Sequence, residues 1–129
     1  MPNPVELRVS KADRTLTVTF DDGARFVLPA EYLRVESPSA EVQGHGPDQK
    51  VLVWGRAHVG ILKVEPVGNY AVRIVFDDLH DTGIYSWDYL HQLGREHATR
   101  WARYLEELAA QGKSREPRRV VRAPDAGGE

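Results

Sequence analysis

Two stretches of the chain are built to one plan, and any fold for this protein has to accommodate both. VTFDDGARFVLPAEYL (18–33) and IVFDDLHDTGIYSWDYL (74–90) each run strand, Phe-Asp-Asp, turn, strand, then an acid-Tyr-Leu helical start. In the first copy the turn is a bare Asp21-Asp22-Gly23, and Asp-Gly alone is a strong turn signal because glycine tolerates positive φ. Phe-Asp-Asp therefore reads first as a way to end a strand, since aspartate hydrogen-bonds nearby backbone amides in turns. The echo is either a duplication or hairpin grammar used twice.

Around the first copy, Leu16, Val18 and Phe20 alternate with Thr15, Thr17 and Thr19, the period of a half-buried strand. Residues 6–10 and 14–20 read as a strand pair around the turn KADR, and 24–28 return as a third strand. Pro29 can open a helical turn in PAEYLRVE, because its missing amide proton is not needed at a helix start. Residues 36–50 (ESPSAEVQGHGPDQK) carry glycine and proline and few large apolar groups, a loop with room for a single turn at SAEV. Strands are expected again at 51–54, 59–65 and 70–76, with Gly68-Asn69 as the tight turn between the last two.

From residue 86 the period changes. Trp87, Leu90, Gly94, Ala98, Trp101, Leu105 and Leu108 step by three or four, one apolar stripe on a helical region over 86–111. Ser86 suits an N-cap with Asp88 in the first turn, and Gly94 offers a point to split a short helix from a longer one. His91 and His97 fall on the polar, solvated side of that stripe. After Gly112, KSREPRRVVRAPDAGGE has no periodicity, so a single domain over 1–112 is expected to be followed by a disordered basic tail, 113–129.

Composition narrows the chemistry. A chain of 129 residues suits one domain. It has no cysteine, which excludes disulfides, thiolate nucleophiles and cysteine metal sites. The net charge of −2 gives no general pull toward nucleic acid or anionic membranes, leaving Lys113, Arg115, Arg118, Arg119 and Arg122 of the tail as the place where nucleic acid would be met. Apolar runs are too short for a membrane span, and MPNPVELRV lacks the regions of a signal peptide, so a cytoplasmic location is expected. There is no G-x-S-x-G, H-E-x-x-H or GxGxxG, and QGHGPD (43–48) lacks the Lys-Ser/Thr of a phosphate loop.

What the second copy adds is His80 and Asp81. Carboxylates and an imidazole this close can ligate a divalent ion. A tight turn cannot wrap all of them around one ion, however, so further ligands would have to come from His45 or His58. The other reading is a turn whose His45, Asp77, Asp78, His80, Asp81 and Tyr85 form an interaction surface beside Tyr70, Trp87 and Tyr89.

LRVESPSAEVQGHGP (33–47) and VEPVGNYAVRIVFDDLHDTGIYSWDYL (64–90) resemble the gamma-butyrobetaine hydroxylase-like N-terminal domain family, over roughly residues 5–110. Members occur as small stand-alone bacterial proteins of unknown function. Similar domains precede the oxygenase domain of gamma-butyrobetaine and trimethyllysine hydroxylases, and another ends the plastid Mrp-like P-loop proteins that handle iron–sulfur clusters. In the hydroxylases the domain holds a structural zinc through a Cys-x-Cys-x-x-Cys run after Trp-Leu-Arg, plus a later histidine. Here Tyr32-Leu33-Arg34 matches Trp-Leu-Arg, the cysteine positions fall on Ser37, Ser39 and Val42, and the histidine falls on His80. With every thiolate gone, the resemblance implies no zinc and no cofactor, and without an oxygenase domain it implies no hydroxylase activity.

The expectation is an α+β fold, mostly antiparallel β structure built from hairpins with C-terminal helical segments packed on it. In function it is a non-catalytic protein-interaction module whose protein partner is unidentified, linked by resemblance to iron–sulfur or redox-cofactor metabolism. The alternative is a metal-binding protein using His80 with His45 and nearby carboxylates.

Overall fold

The computed structural model describes residues 2–44 and 49–117. Strands β1 (Pro4–Ser10), β2 (Thr15–Phe20) and β3 (Arg25–Pro29) form an antiparallel meander that runs directly into helix α1 (Ala30–Val35). Strands β4 (Ile61–Val67), β5 (Ala71–Phe76) and β6 (Ile84–Ser86) form a second meander that runs into α3 (Trp87–Arg95). The short helix α2 (Ala40–Gln43) lies between the halves and α4 (His97–Ala110) follows them. The architecture is α+β, as the sequence implies.

The halves match in detail. The register of β1 on β2 shifts between Pro4 and Glu6, and that of β4 on β5 between Ile61 and Lys63, leaving Pro4 opposite Phe20 and Ile61 opposite Phe76. Such a bulge bends the strand and raises its twist. After Phe20, its amide donates to the Ala24 carbonyl (2.8 Å) and the Gly23 amide donates back to the Phe20 carbonyl (3.1 Å). After Phe76 the same two bonds run from Phe76 to His80 (3.0 Å) and from Leu79 to Phe76 (3.1 Å). Asp22 accepts the Ala24 amide at 2.9 Å as Asp78 accepts the His80 amide at 3.1 Å. Gly23 and Leu79 share the left-handed position, with φ of 89° and 73°. Glycine adopts that conformation freely, whereas leucine does so against its Cβ. The echo in the sequence is thus a repeated three-dimensional unit, matched turn for turn.

Strand alternation turns Leu16, Val18 and Phe20 of one sheet and Val72, Ile74 and Phe76 of the other into a common core, which Tyr32 and Leu33 of α1 and Leu90 and Leu93 of α3 complete. Each large apolar side chain buried there contributes about 1.5–3 kcal/mol before entropy is counted. A smaller cluster of Val35, Val42, Val53, Tyr104 and Leu108 holds α4.

Several local expectations are corrected. Residues 51–54 form no strand. The Val51 amide bonds the Val42 carbonyl (2.7 Å) and the Val53 carbonyl accepts the Tyr104 hydroxyl (2.8 Å), so this apolar segment covers α4 instead of joining a ladder. The helical region breaks at Glu96, not Gly94. Gly94 sits inside α3 because a Cβ there would lie 2.3 Å from the Phe26 ring. The break resets the helical phase, so Ala98 and Leu105 face outward while Tyr104 and Leu108 are buried. His91 and His97 are half-buried against aromatic rings and not freely solvated: the His91 ring lies 4.8 Å from that of Phe20, and His97 stacks on Tyr32 at 4.3 Å.

The tail expected to be disordered from 113 is bound to the rest of the chain as far as Glu116. The Gly55 and Ala57 amides each donate to it at 2.9 Å, to the Ser114 and Arg115 carbonyls. Arg115 grips the buried Glu31 through two nitrogens, at 2.9 and 2.8 Å. Residues 118–129, with Arg118, Arg119 and Arg122, lie outside the described residues. No helix among the described residues is long and apolar enough to cross a membrane.

Candidate functional site

The connection from α1 to α2 folds over the FDDLHD turn. Ser39 caps α2 by accepting the Glu41 amide at 3.1 Å, which fixes the direction in which Glu41 leaves the helix. Ser37 Oγ lies 2.8 Å from His80 Nε2, and His80 Nδ1 lies 3.1 Å from Glu41 Oε1. Ser39 Oγ meets Thr82 Oγ1 at 2.7 Å, and the Gln43 side-chain amide donates to the Ser37 carbonyl at 2.8 Å. The positions singled out by resemblance therefore converge in part: Ser37 is bonded to His80, Ser39 stands beside them, and Val42 packs into the smaller apolar cluster.

This donor set does not fit zinc. Two neutral hydroxyls and a valine offer no charge to offset dehydration of a divalent ion, and a single imidazole remains. Among the described residues, no group of three or more His, Asp or Glu is placed to hold a metal ion. His45, the other histidine of the metal reading, lies outside the described residues. His58 instead faces Glu116 at 3.4 Å on the surface.

Ser37, His80 and Glu41 stand in the order of a nucleophile, a base and an orienting acid. The Glu41 carboxylate only accepts, so Nδ1 carries the proton and Nε2 accepts the Ser37 hydroxyl. Burial, followed by the Arg34 guanidinium, lowers the proton affinity of His80 below that of free histidine, against the smaller pull of Glu41 and Asp78. The line nevertheless runs inside out. Ser37 is 0% exposed, while the Glu41 side chain at the far end is 63% exposed. Gly83 closes the inner end, since a Cβ there would come within 2.5 Å of Ser37 Oγ. The hydroxyl has hydrogen-bond partners but no path to a substrate.

Next to this line, Asp78 Oδ2 lies 2.8 Å from Arg34 Nε and 2.8 Å from Arg56 Nε. Burial raises the Asp78 proton affinity, but the His80 amide and the Arg34 guanidinium outweigh it and hold the carboxyl below the usual range. The matching place in the other half holds Asp22 and His91, 2.9 Å apart. Each half thus sends one helical side chain onto the turn aspartate of the other.

The surface expected from the FDDLHD region is largely absent. Tyr85 is 0% exposed, because strand alternation points it inward opposite Val72, and its hydroxyl donates to the Leu33 carbonyl at 2.5 Å. His80 is buried under the α1–α2 connection, and Asp78 is held between two arginines. Asp77 is exposed, and Asp81 is half-exposed beside Arg73 at 3.5 Å. Glu41, Thr82 and Arg56 escaped sequence reasoning. Glu41 carried one usable signal, its place two residues after a capping serine.

The family model for "Gamma-butyrobetaine hydroxylase-like, N-terminal" matches residues 7–91. A comparison with curated proteins finds no match. Two NMR solution structures are similar to this chain: one at 49% identity and TM-score 0.80 over 94% of this chain and 95% of its own, the other at 46% and 0.78 over 94% and 90%. A crystal structure of a DUF971-family protein of unknown function from Acidithiobacillus ferrooxidans is 39% identical, with TM-score 0.60 over 71% of this chain and 92% of that one. With the family model spanning most of the chain and close structural relatives across its length, the protein belongs to the gamma-butyrobetaine hydroxylase-like N-terminal family.

Proposed function

We propose that this protein is a non-catalytic module that works by binding another protein. The observation that carries the non-catalytic half is the enclosure of Ser37: the one nucleophile–base–acid line among the described residues has its hydroxyl sealed behind Gly83. The binding half rests on the resemblance, since similar domains are fused to enzymes in other proteins, and a fused, non-reacting domain serves them by contact. The link to iron–sulfur or redox-cofactor metabolism has the same basis and no other.

The test is co-purification of the tagged full chain at native expression level, with mild cross-linking to retain weak partners. The reading expects one protein in near-stoichiometric amount, retained in a reciprocal experiment with that protein as bait. Recovery of the chain alone in both formats contradicts it.

A further inference from the structure

Beside the arginine–aspartate–arginine group lies a cleft of about 560 Å³, lined by Arg34, Glu41, Val42, Val53, Trp54 and Arg56 among others. Its size is that of a small-molecule site, and apolar walls with a few convergent polar groups are what such sites present. Two features make it more than a surface depression. The Arg34 side chain is only 10% exposed, and its Nη1 is buried with no hydrogen-bond partner. A buried, unpaired guanidinium nitrogen carries a desolvation cost, which an acceptor in the cleft removes once a small rotation of the guanidinium brings Nη1 to the cleft wall. Arg34 and Arg56 also share the single carboxylate of Asp78, so the trio keeps one positive charge in excess. Glu41 is the other acid on the cleft, but it is turned to His80 Nδ1 and stands at the exposed rim.

From this we infer that the cleft binds a monocarboxylate joined to a short apolar body. A single negative charge neutralises the trio, whereas a phosphate dianion would overshoot it; any anion here also faces Asp78 and Glu41, and the repulsion grows with its charge. A planar carboxylate suits the guanidinium fork. The apolar body occupies the part of the cleft that Val42, Val53 and Trp54 line. The same head group occurs in free organic acids and at the C-terminus of a peptide, and both present the same chemistry to Arg34 and Arg56. This assignment goes beyond the docking reading and does not depend on it: the site can bind a free acid in a protein with no partner.

The test is an NMR titration of the full ¹⁵N-labelled chain with hexanoate, hexanol, inorganic phosphate and a short peptide ending in leucine with a free or amidated C-terminus. Saturable shifts of the Trp54 indole and the Arg34 and Arg56 Nε–H signals are expected with hexanoate, with the free-acid peptide, or with both, and not with hexanol or the amidated peptide. Response to hexanoate assigns a free acid as sufficient; response to the peptide alone assigns a chain terminus. Arg34 variants risk unfolding the domain, so the decisive variant is Arg56→Gln, whose side chain is 37% exposed. It should bind about tenfold more weakly or worse, equivalent to about 1.4 kcal/mol. Lys63→Gln, a remote surface cation, should bind as the wild type does. No saturable shift with either carboxylate probe overturns the assignment, as does equal binding of phosphate or equal weakening by Lys63→Gln.

Discussion

Tyr32 and Tyr89 make reciprocal hydrogen bonds across the two halves of the molecule, each to the backbone at the end of the other's helix. The Tyr32 hydroxyl of α1 donates to the Leu93 carbonyl in the last turn of α3 (2.7 Å), and the Tyr89 hydroxyl of α3 donates to the Glu36 carbonyl at the end of α1 (2.5 Å). Helix ends leave carbonyls without amide partners, and each helix here is capped by a tyrosine of the other. Burial, with the Glu36 carboxylate nearby, pushes the Tyr89 hydroxyl up to about 12, so it remains a donor at any ordinary pH.

Removing either hydroxyl leaves a buried carbonyl unpaired while the ring still fills its place. Tyr32→Phe and Tyr89→Phe should each lower unfolding free energy by about 1–2 kcal/mol. Urea denaturation checks this, and a variant of either kind as stable as the wild type contradicts the interlock.

The turn aspartates should differ in weight although their places match. Asp78 is 20% exposed between two guanidiniums, and Asp78→Asn leaves the buried Arg34 and the partly exposed Arg56 without a counter-charge, at a cost on the order of 2–4 kcal/mol. Asp22 faces one imidazole in more open surroundings, so Asp22→Asn should cost clearly less. The melting temperatures of the two variants, compared under one buffer, decide the order; the reverse order would show that the arginines do not depend on Asp78.

The docked part of the tail should matter. Glu31 is buried and Arg115 supplies its cation, so Arg115→Ala, or a chain ending at residue 112, should lose about 1–3 kcal/mol. Composition alone argues that the tail is dispensable, and an unchanged melting temperature after truncation would restore that view.

Much of the fold is legible because its signals are local. The Leu16, Val18, Phe20 alternation and the Phe-Asp-Asp echo mark the hairpins, and Ser86 marks the start of α3. What escapes is long-range. Ser37 and His80 are separated by 43 residues, and only the family resemblance places them together. Nothing near Arg56 in the sequence announces Asp78. Tyr85 misleads because an aromatic beside a turn looks the same whether its strand points it inward or outward. Gly94 misleads in the opposite sense: it looks like a break, and its function is to admit Phe26.

Acid should destabilise the protein through His80. Burial and Arg34 lower its folded proton affinity, so the unfolded chain binds a proton more readily than the native one. The stability linked to this is full above about pH 6.5 and falls as the pH drops from there through the lower folded value. His97, also lowered by burial, acts with the same sign. Urea midpoints at about pH 7.5 and 5.5 should show a loss in the wild type and a smaller one in His80→Gln. A midpoint that holds or rises on acidification of the wild type would contradict this.

The most direct measurement concerns Ser37 itself. Its hydroxyl donates to His80 in the manner of an activated nucleophile but is closed off from solvent. The folded full chain, incubated with a fluorophosphonate probe and weighed by intact mass spectrometry, should carry no adduct at Ser37. A stoichiometric adduct on Ser37 that disappears in His80→Ala would show an accessible, activated serine, and the protein would then have to be regarded as a hydrolase and not as a binding module.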